Sequence, residues 1–325
     1  MESRHVVESR ETSAANDTSA IKPIVVIGSS NVDFIMGVAQ LPGVGETVPD
    51  GSFLQTYGGK GANQAVAAAR AGGNVTFVTG LGEDVYAAPT LANFRADGIR
   101  TDRVLVAPGV ASGSALIMFD REGNNYITVA PGANYALTPE YIDSCADVIQ
   151  GAGMLVMQME LAVPTTLHVL EVAERYGVPT MFNYAPVRQC EIPVSERIAI
   201  LVVNEHEGSA LTGLPITSPT EAEVAAQALR KRGPSIVVVT LGAAGACIVS
   251  EEGSIHQPAF AVTPVDTTAA GDVFCGALAV ALVEGRALRD AVRFANAASA
   301  ISVTRTGAQP SIPMRAAIDA FLVEN

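Results

Sequence analysis

From residue 138 to the C-terminus, short apolar runs of strand length alternate with stretches of helical composition. The spacing predicts helix 138–149, strand 154–159, helix 164–176, and strands 179–183 and 199–203. It continues with helix 219–232, strands 235–240 and 246–249, and helices 272–284, 287–303 and 313–323. Parallel strands cannot be joined by a tight turn. Each needs a crossover, and helical crossovers cover the faces of the sheet. Such strands are buried on both sides and read as continuous apolar runs. Ile24-Val-Val-Ile-Gly28 and Val75–Thr79 are two more of them, with helices predicted at 61–71 and 86–97. The fold class is α/β, a mostly parallel sheet with helices on both faces.

Two segments break this pattern. Residues 34–57 are rich in Gly, Pro and turn pairs. Within 103–130, three strand-like runs are separated by turn chemistry. They predict a small antiparallel sheet, a lid inserted into the core in two pieces. Residues 1–20 read as a disordered tail, leaving one domain over 21–325.

Composition limits what this domain can bind. Apolar residues make up 49% of the 325, enough for a large core. Thirty-three acidic against twenty basic residues give −13, with no basic run. That argues against nucleic acid or an anionic membrane as partner. An anionic ligand would then be held by backbone amides, a placed Lys or a metal ion. The longest apolar run, Val273–Val283, has eleven residues, too few for a membrane span. The first twenty residues carry no apolar stretch of a signal peptide, and the chain ends Val-Glu-Asn rather than in a peroxisomal address. Cys145, Cys190, Cys247 and Cys275 are too scattered for a disulfide framework. A cytoplasmic protein with reduced thiols is expected.

Several common motifs are missing. Leu54 stands where a phosphate loop ending in Gly59-Lys60 would need Gly. None of the Gly-x-Gly pairs is followed by Gly three residues on, and no His pair has zinc-protease spacing. His206, between Glu205 and Glu207, reads as a surface histidine.

Five segments remain. Asn31 and Asp33 follow the buried run at Gly28, where ligands of open α/β sheets sit. Together they can grip vicinal hydroxyls, although both are also ordinary turn residues. Gly58-Gly59-Lys60-Gly61-Ala62-Asn63 opens an Ala-rich helix and offers close backbone approach, free amides and a point charge. Asn204 and Glu207 could share a hydrated Mg²⁺ or simply form a capping box. Thr240-Leu241-Gly242-Ala243-Ala244-Gly245 could wrap a nucleotide or be a hairpin turn. Finally, Asp266-Thr-Thr-Ala269-Ala270-Gly271-Asp272 leads into an apolar helix. Small residues there leave the amides of 269–272 open to an anion. Asp272 would be repelled by phosphate unless it takes a proton from an attacking hydroxyl, its other reading being a helix cap.

The joint order of these segments resembles the ribokinase family, the phosphofructokinase-B-like sugar kinases, from about Ile24 to the C-terminus. The likeness extends to Pro42–Thr47, Met157–Glu160 and Thr304–Ser311. It implies ATP-dependent phosphorylation of D-ribose at O5. A related pentose, deoxyribose or nucleoside kinase is the alternative, and a non-catalytic sugar-binding module a more distant one. The resemblance implies ribose at Asn31, Asp33, Gly59–Asn63 and Glu160. It implies ATP at Asn204, Thr240–Gly245, Gly271, Asp272 and Asn296, and Mg²⁺ held through water by Glu207. Ala269–Gly271 would form the anion hole and Asp272 would be the base. An activating K⁺ would lie among Asp266, Thr268, Ser302, Arg305, Gly307 and Ser311, several through carbonyls. A homodimer through the lid strands is also implied.

Overall fold

The computed structural model describes residues 22–187 and 192–325. The tail at 1–20 and Cys190 lie outside them. The chain runs through β1 (Ile24–Ile27), β2 (Asn31–Gly37), β3 (Ser52–Gly58), α1 (Lys60–Arg70) and β4 (Val75–Gly82). It continues through α2 (Ala87–Ala96), β5 (Val104–Ala107), β6 (Gly113–Phe119) and β7 (Asn125–Ala130). Next come α3 (Pro139–Asp143), α4 (Ala146–Gln150), β8 (Met154–Gln158), α5 (Val163–Tyr176), β9 (Thr180–Asn183) and β10 (Ile200–Asn204). The rest is α6 (Glu205–Thr212), α7 (Pro219–Arg230), β11 (Ile236–Thr240), β12 (Ala246–Ser250), β13 (Gly253–Gln257), α8 (Ala270–Val283), α9 (Leu288–Val303) and α10 (Arg315–Glu324).

Among the described residues, nine strands form one sheet in the order β13-β12-β11-β10-β9-β8-β1-β4-β5. Its pairs are parallel except at β11-β12-β13. β1 shows why the helices lie on both sides. Ile24 and Val26 pack in one apolar cluster with α1, α8 and α9, whereas Val25 and Ile27 pack in another with α5 and α7. Successive side chains of a strand point to opposite faces, so a continuous apolar strand demands two covers.

The second sheet has the order β3-β2-β6-β7 and corrects three expectations. Val104–Ala107 does not belong to it. β5 pairs in parallel with β4 at the edge of the large sheet, so the second inserted piece is 113–130. A four-residue apolar run carries no mark of which sheet it will join; the α2 crossover decides that. The first piece starts at Asn31, not residue 34, because β2 begins directly after the β1 turn. Nor is the small sheet antiparallel throughout: two antiparallel hairpins meet along a parallel β2-β6 seam. The helix expected over 138–149 is interrupted at Ser144 and Cys145. There the Ser144 hydroxyl donates to the Tyr141 carbonyl, a local bond that competes with helix continuation. β13 is an additional strand, pairing with β12.

Candidate active site

Beyond the carboxyl ends of the central strands lie two adjoining hollows. A polar cleft of about 220 Å³ is lined by Lys60, Asn183, Asn204, Glu207, Thr240 and Ala269–Asp272, among others. An apolar slot of about 560 Å³ runs between the β11-β12 hairpin, Phe260, Phe274 and α9. Thr240, Thr267, Ala270 and Gly271 line both.

The hollows meet at the start of α8. Ala269 precedes the helix with φ +61°, a left-handed conformation costly for a residue with a Cβ. This kink lets the following turn face the cleft. A Cβ on Gly271 would meet nothing within 4 Å, so open space lies before that residue. Of the four amides expected to be open, that of Ala270 already donates to the Thr267 carbonyl at 3.2 Å. Asp272, in the first turn, is buried. Its Oδ2 accepts from Asn63 Nδ2 at 3.0 Å and its Oδ1 from Gln64 Nε2 at 2.9 Å. Lys60 stands close by. Asp272, opposed by burial and joined by Glu160 and Glu207, holds its ammonium above the ordinary lysine value.

Asn31, Asp33, Gly59–Asn63 and Glu160 are brought together around the start of α1. Gly61 is required there, because a Cβ would stand 2.5 Å from the backbone of Gly28 and Ser29. Only glycine lets α1 cross the end of β1 so closely. Gly59 adopts φ +88°. The Glu160 carboxylate accepts from the Ser29 hydroxyl and, at 3.0 Å, from the Lys60 amide. Asn31 Oδ1 accepts from Asn134 Nδ2 at 2.9 Å. Asp33 is pushed up to about 7, first by burial and then by the charge of Glu160. Among the described residues, its Oδ1 and the Oδ1 of Asn63 are buried without hydrogen-bond partners. Unpaired buried acceptors are costly, and a hydroxyl-rich ligand would satisfy both.

Asn204 and Glu207 do form a reciprocal capping box, at 2.8 Å in each direction. Both also line the polar cleft. Burial raises the Glu207 carboxyl, against the Asn204 amide and Lys60. The two readings of this pair are therefore compatible: the capping bond engages one carboxylate oxygen of Glu207. Thr240–Gly245 is a hairpin turn closed by Leu241 N to Gly245 O at 2.7 Å. Thr240, Gly242, Ala243 and Gly245 face the apolar slot, whereas Leu241 packs into the core and the Ala244 carbonyl bonds His256. Asn296 lines the slot and donates to the Pro258 carbonyl at 3.1 Å.

Asp266, Thr268, Ser302, Arg305, Gly307 and Ser311 are also brought near one another. Asp266 Oδ1 accepts from the Thr268 amide at 2.9 Å and from its hydroxyl, and Oδ2 accepts from the Gly307 amide at 2.8 Å. Burial opposes ionisation of Asp266, but these bonds outweigh it and hold the carboxyl below its ordinary value. The Asp266 amide also donates to the Val303 carbonyl at 3.2 Å. Arg305 Nη1 reaches the Ser311 carbonyl at 3.5 Å. Among the described residues, no three His, Cys, Asp or Glu side chains cluster as a metal site.

Gln64 and Asn183 were not named from the sequence, and Ser29, Gln158 and Thr267 fall inside segments singled out there without having been given a role. Gln158 had a readable signal, since it is a polar residue closing an otherwise apolar strand, and Asn183 a weaker one at the end of Thr180-Met-Phe. Gln64 is one position beyond the glycine segment and its burial is visible only in the fold.

Comparison with known proteins places the chain. Residues 22–315 match the model of the pfkB family carbohydrate kinases. Ribokinase of Bacillus subtilis is 38% identical over 93% of this chain and 100% of its own length. Deoxyribokinase of Salmonella typhi is 36% identical, covering 89% and 95% respectively. At 37% identity over 92% of the chain, a bifunctional ribokinase/ribose-5-phosphate isomerase A of Fructilactobacillus sanfranciscensis also matches, but the chain spans only 56% of that protein. Arabidopsis thaliana ribokinase complexed with ribose and ATP superposes with a TM-score of 0.84, at 33% identity, covering 93% of this chain and 98% of that one. The chain belongs to the pfkB family of carbohydrate kinases.

Proposed function

We propose that the chain transfers the γ-phosphoryl group of ATP to O5 of D-ribose, giving D-ribose 5-phosphate and ADP. The observation that carries this reading is Asp272. It is a buried carboxylate held by two amide donors where the polar cleft meets the open start of a helix. The similarity to ribokinases, one of them complexed with ribose and ATP, supports the choice of both substrates.

Asn31, Asp33, Asn63 and Glu160 bind the sugar hydroxyls, with the two unpaired oxygens of Asp33 and Asn63 accepting from them. Asp272 takes the O5 proton. As that O–H bond breaks, O5 bonds to the γ-phosphorus, and the bond from phosphorus to the bridging oxygen breaks with its electron pair leaving on ADP. The amides of Ala269, Gly271 and Asp272, with Lys60, meet the charge on the transferring group, a term that in comparable sites is worth about 3 kcal/mol per donor. The adenosine part lies in the apolar slot beside Thr240–Gly245 and Asn296. Mg²⁺ bound with ATP would neutralise phosphate charge. Glu207 and Asn204 would hold it through water, which suits a Glu207 with one carboxylate oxygen outside the capping bond.

The small sheet acts as a lid on the sugar side. It carries exposed apolar side chains on both faces, Phe53, Leu116 and Tyr126 on one and Leu54 and Ile127 on the other, all more than half exposed, and β7 is exposed along its whole length. An unpaired apolar sheet with open edges favours a homodimer through these strands. K⁺ held between the Asp266 and Thr304–Ser311 loops would fix the start of α8 as an activator. No described helix is long and apolar enough to cross a membrane, and we place the protein in the cytoplasm.

ADP release on a panel of ribose, 2-deoxyribose, other pentoses and nucleosides tests the activity. Turnover fastest with ribose is expected. Preference for 2-deoxyribose, in keeping with the similarity to a deoxyribokinase, would move the assignment to that substrate. Binding without turnover would leave a sugar-binding module. With tetramethylammonium in place of K⁺ at constant ionic strength, kcat should fall more than the ribose KM, and Asp266→Ala should mimic it. Full activity in both would leave the loop pair merely structural.

A further inference from the structure

We propose that Gln64 is the positioning residue of this site, the group that aims the Asp272 carboxylate. The proposal rests on Asp272 being the base. Gln64 lies on α1 directly after the segment assigned to the sugar, and its side chain is fully buried. Its Nε2 donates to Asp272 Oδ1 at 2.9 Å and to Asn183 Oδ1 at 3.1 Å. Its Oε1 accepts from Gln158 Nε2 at 2.7 Å. Gln64 and Asp272 are 208 residues apart, and no family motif read from the sequence includes Gln64.

The direction of this row of amides is fixed by its far end. Asn183 Nδ2 faces the Val202 carbonyl at 3.4 Å, and a carbonyl can only accept. Asn183 must therefore turn its oxygen toward Gln64. Gln64 must in turn present its NH₂ to that oxygen, and the second proton of the same nitrogen then points at Asp272. A flipped Gln64 would set its oxygen against two acceptors. Asn183, Gln64 and Gln158 thus form a chain whose hydrogen bonds run in one direction, anchored on β10 and braced from β8, with Gln158 Oε1 left without a partner among the described residues.

The other donor to Asp272 is Asn63. Asn63 faces the sugar and must adjust as the sugar comes and goes. Gln64 faces protein on all sides and has no such freedom. It is the contact that keeps the carboxylate plane constant between the empty and loaded site, and a proton acceptor set in advance is what proton transfer at a fixed hydroxyl requires. The amide cannot itself take or lose the proton, so the proton stays on Asp272.

Gln64→Met keeps the length of the side chain and removes the donor. The expected result is a kcat lower by about ten- to a hundredfold, the loss typical of one hydrogen bond to a charged group. The KM values for ribose and ATP should stay within about threefold of wild type. Asp272→Asn is measured beside it. With the base gone, adding Gln64→Met should cost no further rate, because the two residues act as a unit. Gln64→Glu supplies a second readout that does not depend on tolerance of an apolar group. Protonated, the introduced carboxyl can donate to Asp272; ionised, it repels it. Relative to wild type, activity should fall as pH rises. The titratable groups sharing this corner are Asp272 and Cys275 on α8, Lys60 on α1 and Glu207 on α6. They are present in both proteins, so the ratio of the two profiles isolates the introduced group. A folded Gln64→Met with wild-type kcat beside a dead Asp272→Asn would overturn the proposal alone. A pH-independent activity ratio for Gln64→Glu, or fully additive losses in the double variant, would do the same. An active Asp272→Asn would instead remove the reading on which it rests.

Discussion

The polar cleft and the apolar slot share a wall at Thr240, Thr267, Ala270 and Gly271, yet they are built by opposite means. The cleft holds a buried charge whose place is set by side-chain hydrogen bonds, Asp272 under Asn63 and Gln64. The slot is a hollow of small and apolar residues around a glycine-bearing hairpin, with Asn296 as a polar side chain at its edge. A site of the first kind is specific and brittle, because each buried polar group depends on a few particular partners. A site of the second kind binds by area and tolerates change. Substitutions in the two should therefore separate kinetically, rate and sugar affinity falling in one and nucleotide affinity in the other.

Asp272→Asn should produce the largest effect, a loss of about 10²–10⁴ in kcat with ribose binding within a few-fold, since general-base catalysis contributes that much. Isothermal titration with ribose and single-turnover kinetics would separate the two quantities. Near-wild-type turnover would sink the assignment of the base.

Asp33→Ala should raise the ribose KM by about ten- to a hundredfold while kcat changes less, the cost of one hydrogen bond from hydroxyl to carboxylate. If ATP affinity falls and ribose affinity does not, the two hollows have been given each other's ligands.

The same residue makes a pH prediction. Burial and Glu160 push the Asp33 carboxyl up to about 7, so it gains its charge near neutrality. Ribose affinity should rise as pH climbs through 7, accompanied by proton release in calorimetry, and Asp33→Asn should flatten that rise. Linkage gives the opposite sign for stability. Between the ordinary carboxylate value of 3.8 and about 7 the folded state binds more protons than the unfolded one, so the Asp33 contribution to stability falls as pH rises. Affinity independent of pH across this range would show that Asp33 stays in one protonation state there.

The smallest effect is expected in the slot. Asn296→Ala removes a donor to the Pro258 and Gln257 carbonyls. It should raise the ATP KM by about three- to tenfold, a loss near that of one neutral hydrogen bond, with the ribose KM unchanged. A change confined to kcat would erase the distinction between slot and cleft.

Much of this was open to a reader of the sequence. Ile24–Ile27 and the alternation after residue 138 specify parallel strands covered twice, because an uninterrupted apolar strand has no face to give to water. The five motif segments were readable because their residue types are unusual for their places: three glycines around a lysine, and an acid after a run of small residues. Where one segment had two readings, as at Asn204 and Glu207, the sequence could not choose, since a helix cap and a cleft wall use the same residues.

Tertiary structure decided the remainder. The sheet that Val104–Ala107 joins depends on where the α2 crossover returns it, and four apolar residues contain no record of that. That Leu241 and Ala244 turn away from the slot while their neighbours face it follows from the hairpin's closing bond. The Ala270 amide is spent on Thr267 because Ala269 sits in a left-handed kink. Gln64 offers the plainest case. A glutamine on an Ala-rich helix looks like any surface residue until the sheet carries Asn183 and Gln158 beneath it and α8 brings Asp272 alongside. Local sequence sets which groups are donors and acceptors. Burial decides which must find each other, because only where water is excluded does an unmatched polar group cost enough to dictate the arrangement.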